Sequence, residues 1–203
     1  MKGEVGIQDS QADKIELIEY LQSKVHMPVK SAQEITAYFQ LQQLAKGDIL
    51  LEKGNVSNHS HLLTEGFIRS FTFNIYDNEV TTGIYHPTSL GNIFMSYFKG
   101  YEVKESYQAL TNCRVWHISA EDTQTCFKHY SSFRKLGRVL LAHNHIYLHQ
   151  RMLDMIETPA EERYLKLMAS KPEIIQAVPL KVIASYLNIT ATSLSRIRRE
   201  IYK

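Results

Sequence analysis

The chain has 203 residues, of which 44% are hydrophobic and 22% charged, and its formal net charge is +2. This composition is typical of a globular protein with one large or two small domains, and it excludes extended disorder. No run approaches the roughly 18 apolar residues of a membrane span, and residues 1–14 lack the apolar segment of a secretory signal, so we expect a cytoplasmic protein with no membrane partner.

The cysteine content excludes several cofactor classes. Cys113 and Cys126 stand alone, with no CxxC motif and no metal-ligand spacing to a histidine. This argues against a disulfide scaffold, a zinc finger and an iron–sulfur cluster. We therefore expect two plain thiols and no cofactor.

The first part of the chain is predicted to contain two helices followed by a β structure. Apolar residues at helical spacing predict helices at 15–22 and 31–44. From residue 47 to about residue 116, short apolar or alternating runs separated by turn residues predict several strands at intervals of roughly 8 to 12 residues. Such a pattern indicates a small barrel or jelly roll, and hence an α+β fold with an N-terminal β-roll.

A long helix is predicted from Ser132 to Ile156, about 37 Å at about 1.5 Å per residue. A helix of this length needs a packing partner, and an apolar stripe at spacings of three and four predicts a seam with a second copy of the chain. The alternative is that the same face packs on the chain's own barrel. The stripe consists of Leu136, Val139, Leu140, His143, Ile146, Tyr147, Gln150 and Leu153.

The chain is predicted to close with three short helices. Thr158, Pro159 and Glu161 form a start signal in which Thr158 caps the helix and Glu161 completes a capping box. Two further helices are predicted at 180–187 and 191–202. Residues 160–203 carry eight Lys or Arg against four Glu, whereas the remainder has a net charge of −2. This asymmetry is expected of a small phosphate-contacting module on a larger domain.

Residues 180–199 have the pattern of a helix-turn-helix. Ala184 is small where two helices would cross, Asn188 suits a turn that needs positive φ, and Thr190 is a favourable N-cap. A helical hairpin with a solvated cationic face is the alternative. The apolar residues that would fill the space between the helices are Ile183, Leu187, Ile189, Leu194 and Ile197.

The outward face of the last helix is small and polar at the front and cationic behind. Thr192 and Ser195 could contact base edges, and Arg196 could fork onto guanine in a major groove. Arg198, Arg199 and Lys203 suit phosphate contacts. The hydroxyls of Thr190 and Ser193 suit them too, together with the backbone N–H groups at the start of the helix. The candidate DNA-binding residues are Thr190, Ala191, Thr192, Ser193, Ser195, Arg196, Arg198 and Arg199.

These features together resemble the cyclic-AMP receptor and Fnr (Crp/Fnr) family of bacterial transcription regulators. The resemblance rests on the stretches 47–50 (GDIL), Gly54 and 65–69 (EGFIR), on the long helix and on 179–199. It implies a β-roll sensor, a dimerising helix and a winged helix-turn-helix that binds a palindromic operator. Because the sequence reads only to Lys203 after the last helix, we expect the β-hairpin wing to be absent.

The cyclic-nucleotide signature of the family is altered. Its nucleotide binders use a Gly-Glu pair for the ribose and an arginine followed by a small hydroxyl residue for the cyclic phosphate. Here Asn92 follows Gly91, and Val103, Lys104 and Glu105 stand where the arginine is expected. A lysine lacks the fork for bidentate phosphate capture, so we do not expect cyclic AMP to bind. The roll would bind another, unidentified small-molecule effector or act as a structural platform.

Histidine patterns raise a metal-enzyme alternative. His59, His61 and Glu65 approach the H-x-H-x3-E spacing of cupin enzymes, but no further histidine with a P-x-G motif completes the site. His145 and His149 have the i, i+4 spacing of a ligand pair but are expected to be exposed. An aromatic cluster could line a pocket, although core packing is the expectation; it consists of Tyr97, Phe98, Tyr101 and Tyr107.

The sequence thus predicts a homodimeric, sequence-specific DNA-binding transcription regulator that reads an inverted repeat and is not an enzyme. Its predicted parts are a β-roll sensor domain at 1–131, a dimerisation helix at 132–157 and a helix-turn-helix domain at 158–203. The alternatives are a cupin-like metal-dependent enzyme and a ligand-binding module that acts through protein contacts.

Overall fold

The computed structural model describes residues 10–87 and 102–201. Helices α1 (Gln11–Lys24) and α2 (Val29–Thr36) come first. The strands described are β1 (Gln40–Leu44), β2 (Ile49–Leu51), β3 (His59–Glu65), β4 (Ile68–Phe73), β5 (Glu79–Tyr85), β6 (Ser106–Ala109) and β7 (Cys113–Ser119). The helices after them are α3 (Ala120–His129), α4 (Ser131–Glu157), α5 (Ala160–Ser170), α6 (Pro172–Ala177), α7 (Leu180–Tyr186) and α8 (Ala191–Ile201).

The strands form two antiparallel sheets, ordered β1-β7-β3 and β2-β6-β4-β5. Leu63 and Val115 from the first sheet meet Ile68 and Ala109 from the second in one hydrophobic cluster. Two sheets enclosing a shared apolar interior are a β-roll, so the predicted α+β architecture with an N-terminal roll is confirmed.

The other face of the first sheet is covered by helices. Successive side chains of a strand point to opposite faces, so Trp116 lies on the side opposite to Val115. Trp116 is fully buried in a second cluster with Leu21 of α1, Ile35 of α2 and Leu136 of α4. This cluster fixes the start of the long helix against the roll.

The predicted helix at 31–44 is wrong in its second half. Helix α2 ends at Thr36, and Gln40–Leu44 is strand β1. Leu41 lies opposite Trp116 in the pairing with β7, and both Leu41 and Leu44 are buried. Pairing with a strand more than 70 residues away therefore outweighs the local helical spacing.

The connection from α4 to α5 also differs from the prediction. Helix α5 begins at Ala160, Pro159 is its N-cap, and no side chain caps it. Thr158 ends α4 instead, and its hydroxyl donates to the Asp154 carboxylate over 3.5 Å. Helix α6, which Pro172 opens, lies in a segment where the sequence predicts none.

Helix α4 divides the predicted stripe between two environments. Leu136 and Leu140 are buried against the chain's own core, as the alternative interpretation has it. His143 and Gln150 are exposed, and Tyr147 contacts the last helices, as described below. The large exposed apolar side chains of this helix are Leu141, Ile146, Leu148, Met152 and Ile156.

Gly66, between β3 and β4, is predicted to be the most sensitive glycine among those with positive φ. Its φ is +89°, and an added Cβ would lie 2.3 Å from the Asn112 carbonyl oxygen. Gly54 has nearly the same φ, +91°, but an added Cβ there meets nothing within 4 Å. Gly54→Ala should lower the free energy of unfolding by about 1 kcal/mol through backbone strain alone. Gly66→Ala should lower the free energy of unfolding by more than Gly54→Ala does, as measured by urea denaturation. Equal losses for the two variants would contradict the close approach of Gly66 to the Asn112 carbonyl.

Candidate nucleic-acid interface

The segment formed by α7, the turn at 187–190 and α8, here called the terminal helix pair, is a tightly packed unit. Asn188 has a φ of +55°, the left-handed conformation that the sequence predicts. Its backbone N–H donates to Ser185, and that of Ile189 donates to the carbonyl of Ala184, each over 3.0 Å. The buried apolar side chains are Val182, Ile183, Ala184, Leu187, Leu194 and Ile197.

Thr190 starts α8 as predicted. Its side-chain oxygen accepts from the backbone N–H of Ser193 over 3.1 Å, and its hydroxyl donates to the Ser193 hydroxyl over 2.9 Å. Ser195 donates to the Ala191 carbonyl over 2.9 Å. These hydroxyls hold the first turn of the helix and keep lone pairs that can accept further hydrogen bonds.

The candidate DNA-binding side chains lie on one accessible face. Leu194 and Ile197 point inward, and most of the predicted contact residues are exposed, with Ser193 and Arg198 partly so. Among the described residues, no carboxylate lies within 4.0 Å of Arg196, Arg198 or Arg199. An open depression on this face is lined by Thr192, Ser193, Ser195, Arg196 and Arg199.

The terminal helix pair is docked on the β-roll, a contact that the sequence analysis missed. Ile84 of β5 and Leu110 belong to the same hydrophobic cluster as Ile183 and Leu194. The backbone N–H of Thr81 in β5 also donates to the Ser185 hydroxyl over 2.8 Å. From the sequence alone, Ser185 resembles any polar surface residue of a helix. Its contact with β5 therefore could not be predicted from the neighbouring residues.

Helix α4 makes a second contact with the terminal helix pair. The hydroxyls of Tyr147 and Tyr186 are hydrogen-bonded to each other. Arg151 donates to the Tyr186 carbonyl over 2.9 Å and stacks on the Tyr186 ring at 4.4 Å. Burial raises the pKa of Tyr147, so this junction is built from a neutral phenol.

Residues other than arginine stand at the position in the roll where the phosphate-binding arginine is expected. Val103 is buried and Lys104 is exposed. The Glu105 carboxylate accepts from the Thr82 hydroxyl over 2.6 Å, and Thr82 is hydrogen-bonded to Ser70 over 2.8 Å. A carboxylate at this place repels a phosphate. Of the other residues considered for this site, Gly91, Asn92, Tyr97, Phe98 and Tyr101 lie outside the described residues.

The aromatic cluster of the sequence analysis is represented in the described residues by Tyr107. Its ring lies 6.0 Å from that of Tyr85, and both pack against the apolar interior of the roll. Burial raises the pKa of both phenols.

The histidine pattern does not form the metal site considered above. His61 and Glu65 are on one continuous strand, about 13 Å apart at about 3.3 Å per residue, too far to share an ion. His59 lies close to His117, with ring centroids 5.0 Å apart. His145 and His149 are exposed, with centroids 6.2 Å apart. Within residues 10–87 and 102–201, no group of three or more His, Cys, Asp or Glu side chains has a geometry that could hold a metal ion.

Comparison with known proteins bears on the roll and on the whole chain. Residues 41–130 match the cyclic nucleotide-binding domain family. The c-di-GMP responsive global regulator CLP of Xanthomonas campestris superposes with a TM-score of 0.67 at 12% identity, covering 86% of this chain and 92% of that one. FixK2 of Bradyrhizobium japonicum gives 0.66 at 13% identity, covering 81% and 84%. A crp/fnr family regulator from Eubacterium rectale gives 0.65 at 14% identity, covering 87% and 84%.

The chain has a Crp/Fnr-like fold. The predicted resemblance is thereby confirmed at the level of architecture, from the roll through the long helix to the last helices. A search of curated proteins finds no match to the sequence. In the described part of this Crp/Fnr-like chain, no helix has the length and apolar character that crossing a membrane requires.

His61 should make stability depend on pH. Burial, together with the neighbouring His117 and His59, lowers its pKa to about 3, whereas an unfolded histidine titrates near 6.5. Between these values the unfolded chain binds more protons, so the stability present above pH 6.5 is lost as the pH falls. Urea denaturation from pH 7 to pH 4 should show a shallower loss for His61→Gln than for the parent chain. The exposed His145→Gln is the control and should follow the parent; an unchanged slope for His61→Gln would refute the assignment.

Proposed function

We propose that the chain is a sequence-specific DNA-binding transcription regulator that acts as a homodimer on an inverted-repeat operator. In this proposal residues 1–131 form the sensor domain, 132–157 the dimerisation helix and 158–203 the helix-turn-helix domain. The observation that carries the proposal is the exposed face of α8, with short polar side chains in its first turn and arginines behind them. Within residues 10–87 and 102–201 no carboxylate lies within 4.0 Å of these arginines.

The chemistry of this face suits a major groove. Ala191, Thr192 and Ser195 are short, so the N-terminal half of the helix can approach base edges closely. Arg196 lies about one turn after Thr192, and no described carboxylate is within 4.0 Å of its guanidinium, which can fork onto guanine. Arg198 and Arg199 follow and suit phosphates. The Thr190 side chain accepts from the Ser193 N–H, and the other backbone N–H groups at the helix start suit phosphates too.

Arg196 and Arg199 provide the test of base reading against phosphate contact. Arg196→Ala should weaken operator binding by about 1 to 3 kcal/mol and relax base preference at one position in each half-site. Arg199→Ala should weaken binding to operator and random duplex alike and reduce the steepness of the salt dependence. The operator is first obtained by selection from a random DNA pool, and affinities are then measured by fluorescence anisotropy at several salt concentrations.

The exposed Lys135→Gln, on the far end of α4, is the matched control and should bind like the parent chain. Selection without an enriched inverted repeat would contradict the proposal and favour a module that acts through protein contacts. Equal losses on operator and random duplex for both arginine variants would contradict the separate roles.

The second half of α4 is the proposed dimer seam. Leu141, Leu148, Met152 and Ile156 are exposed and follow spacings of seven, four and four, which place them on one side of the helix. This seam differs from the sequence-predicted stripe, whose Leu136 is used inside the chain. Two copies joined here would present two α8 helices to successive major grooves about 34 Å apart.

Charge on this seam should separate the copies. Leu148→Glu combined with Met152→Glu should convert a dimer into a monomer in light scattering after size exclusion, because like charges would be buried face to face. Ile75→Glu is the control, because Ile75 is 91% exposed in the turn between β4 and β5 and is not part of the proposed seam. A dimer that survives the double substitution would place the interface elsewhere.

The sensor is proposed not to use cyclic AMP. This is supported by the residues at the expected phosphate position: the carboxylate of Glu105 repels a phosphate, and Lys104 is exposed and lacks the bidentate donors of an arginine. Added cyclic AMP should accordingly leave the affinity for the selected operator unchanged.

A further inference from the structure

A cleft of about 140 Å³ lies where the second half of α4 meets α5 and α7. It is separate from the interior of the roll and from the exposed face of α8. Tyr147, Arg151 and Asp154 line it from α4, and Tyr186 and Leu187 line it from the terminal helix pair. We call it the junction cleft.

The junction cleft holds more positive than negative charge. Its charged lining side chains are Arg151, Asp154, Arg163, Lys166 and Lys171. Lys166 is paired with Asp154 at 3.1 Å and with Glu162 at 3.6 Å. In the described ranges no carboxylate lies within 4.0 Å of the other three cations.

The two arginines keep donors that the protein does not use. Arg151 and Arg163 donate to the carbonyls of Tyr186 and Leu187, at the C-terminal end of α7, over 2.9 and 2.8 Å. These bonds cap α7 and hold both guanidinium groups at the cleft. The other terminal nitrogen of Arg163 donates to the Thr158 carbonyl over 2.5 Å. The Nε of Arg163 is buried and has no hydrogen-bond partner among the described residues. A buried donor of this kind destabilises the protein until an acceptor reaches it.

Lys171 adds an ammonium group on the same cleft. Its Nζ lies 4.3 Å from the centre of the Tyr147 ring, and among the described residues no carboxylate lies within 4.0 Å of it. Burial of the ammonium lowers its pKa. Three cations near one another in a partly dry space repel, and an anion among them would remove that repulsion.

We propose that the junction cleft binds a small oxyanion, the phosphate or carboxylate group of an effector. Guanidinium forks and a nearby ammonium are the donors that recognise such groups. The volume suits the charged group itself, since pockets that enclose drug-sized ligands are usually about 300 Å³ or larger. Because the walls belong to α4 and to the terminal helix pair, the anion would fasten one to the other.

Binding to the cleft does not depend on the proposed function, whereas an effect on DNA affinity does. Isothermal titration calorimetry without DNA therefore tests it, with pyrophosphate as the phosphate probe and citrate as the carboxylate probe, against sodium chloride of equal ionic strength. Saturable binding of either probe supports the site and tells which group it prefers. Heat that does not exceed the chloride reference overturns it.

Variants locate the bound anion. Lys171→Gln and Arg151→Gln should each lower the affinity for the probe at least tenfold. Circular dichroism and thermal denaturation check that both variants fold. Lys135→Gln, outside the cleft, and Arg196→Ala, on the proposed DNA face, should bind the probe like the parent chain. Undiminished binding by folded Lys171→Gln and Arg151→Gln would overturn the assignment, and so would a loss confined to Arg196→Ala.

Discussion

The position of α8 depends on one hydrophobic contact between the last helices and the β-roll. Leu194 of α8, Ile183 of α7 and Ile84 of β5 belong to one buried cluster. Complete burial of each such side chain stabilises the fold by about 1.5 to 3 kcal/mol. The hydrogen bond from Thr81 to Ser185 fixes the register of the contact. The same cluster includes Tyr164 and Leu167 of α5 and Ile174 of α6, so the terminal helix pair packs on these helices as well.

The parts of the site that the sequence predicts correctly are those that depend on neighbouring residues. Asn188 takes positive φ because the turn is tight, and Thr190 caps α8 because its hydroxyl reaches an N–H three residues on. The inward position of Leu194 follows from helical spacing alone. The outward face then follows by exclusion, since a side chain that is not buried in the pair must point away from it.

The sequence predictions are wrong where contacts with residues distant in the sequence determine the structure. Strand β1 has the apolar spacing of a helix, and only its pairing with β7 makes it a strand. The sequence around Thr158 predicts an N-cap for α5, but its hydroxyl donates instead to the carboxylate of Asp154 on the preceding helix. The docking on β5 joins residues about 100 positions apart in the sequence. The junction cleft is formed by three separate helices. No pattern within one element predicts such contacts.

One side of α4 is exposed and another contacts the terminal helix pair, and this separation has a mechanical consequence. At about 100° per residue, Leu141, Leu148 and Met152 lie on one side of the helix, and Arg151 and Tyr147 are turned from the middle of that side by about 80° and about 120°. The exposed seam and the contact with Tyr186 can therefore be occupied at the same time. A rotation of α4 about its own axis, imposed at the seam, would move Tyr147 and Arg151 directly against α7. The long helix thus connects its exposed seam to the orientation of α8 through two side chains, and the cations of the junction cleft lie at that same point of contact.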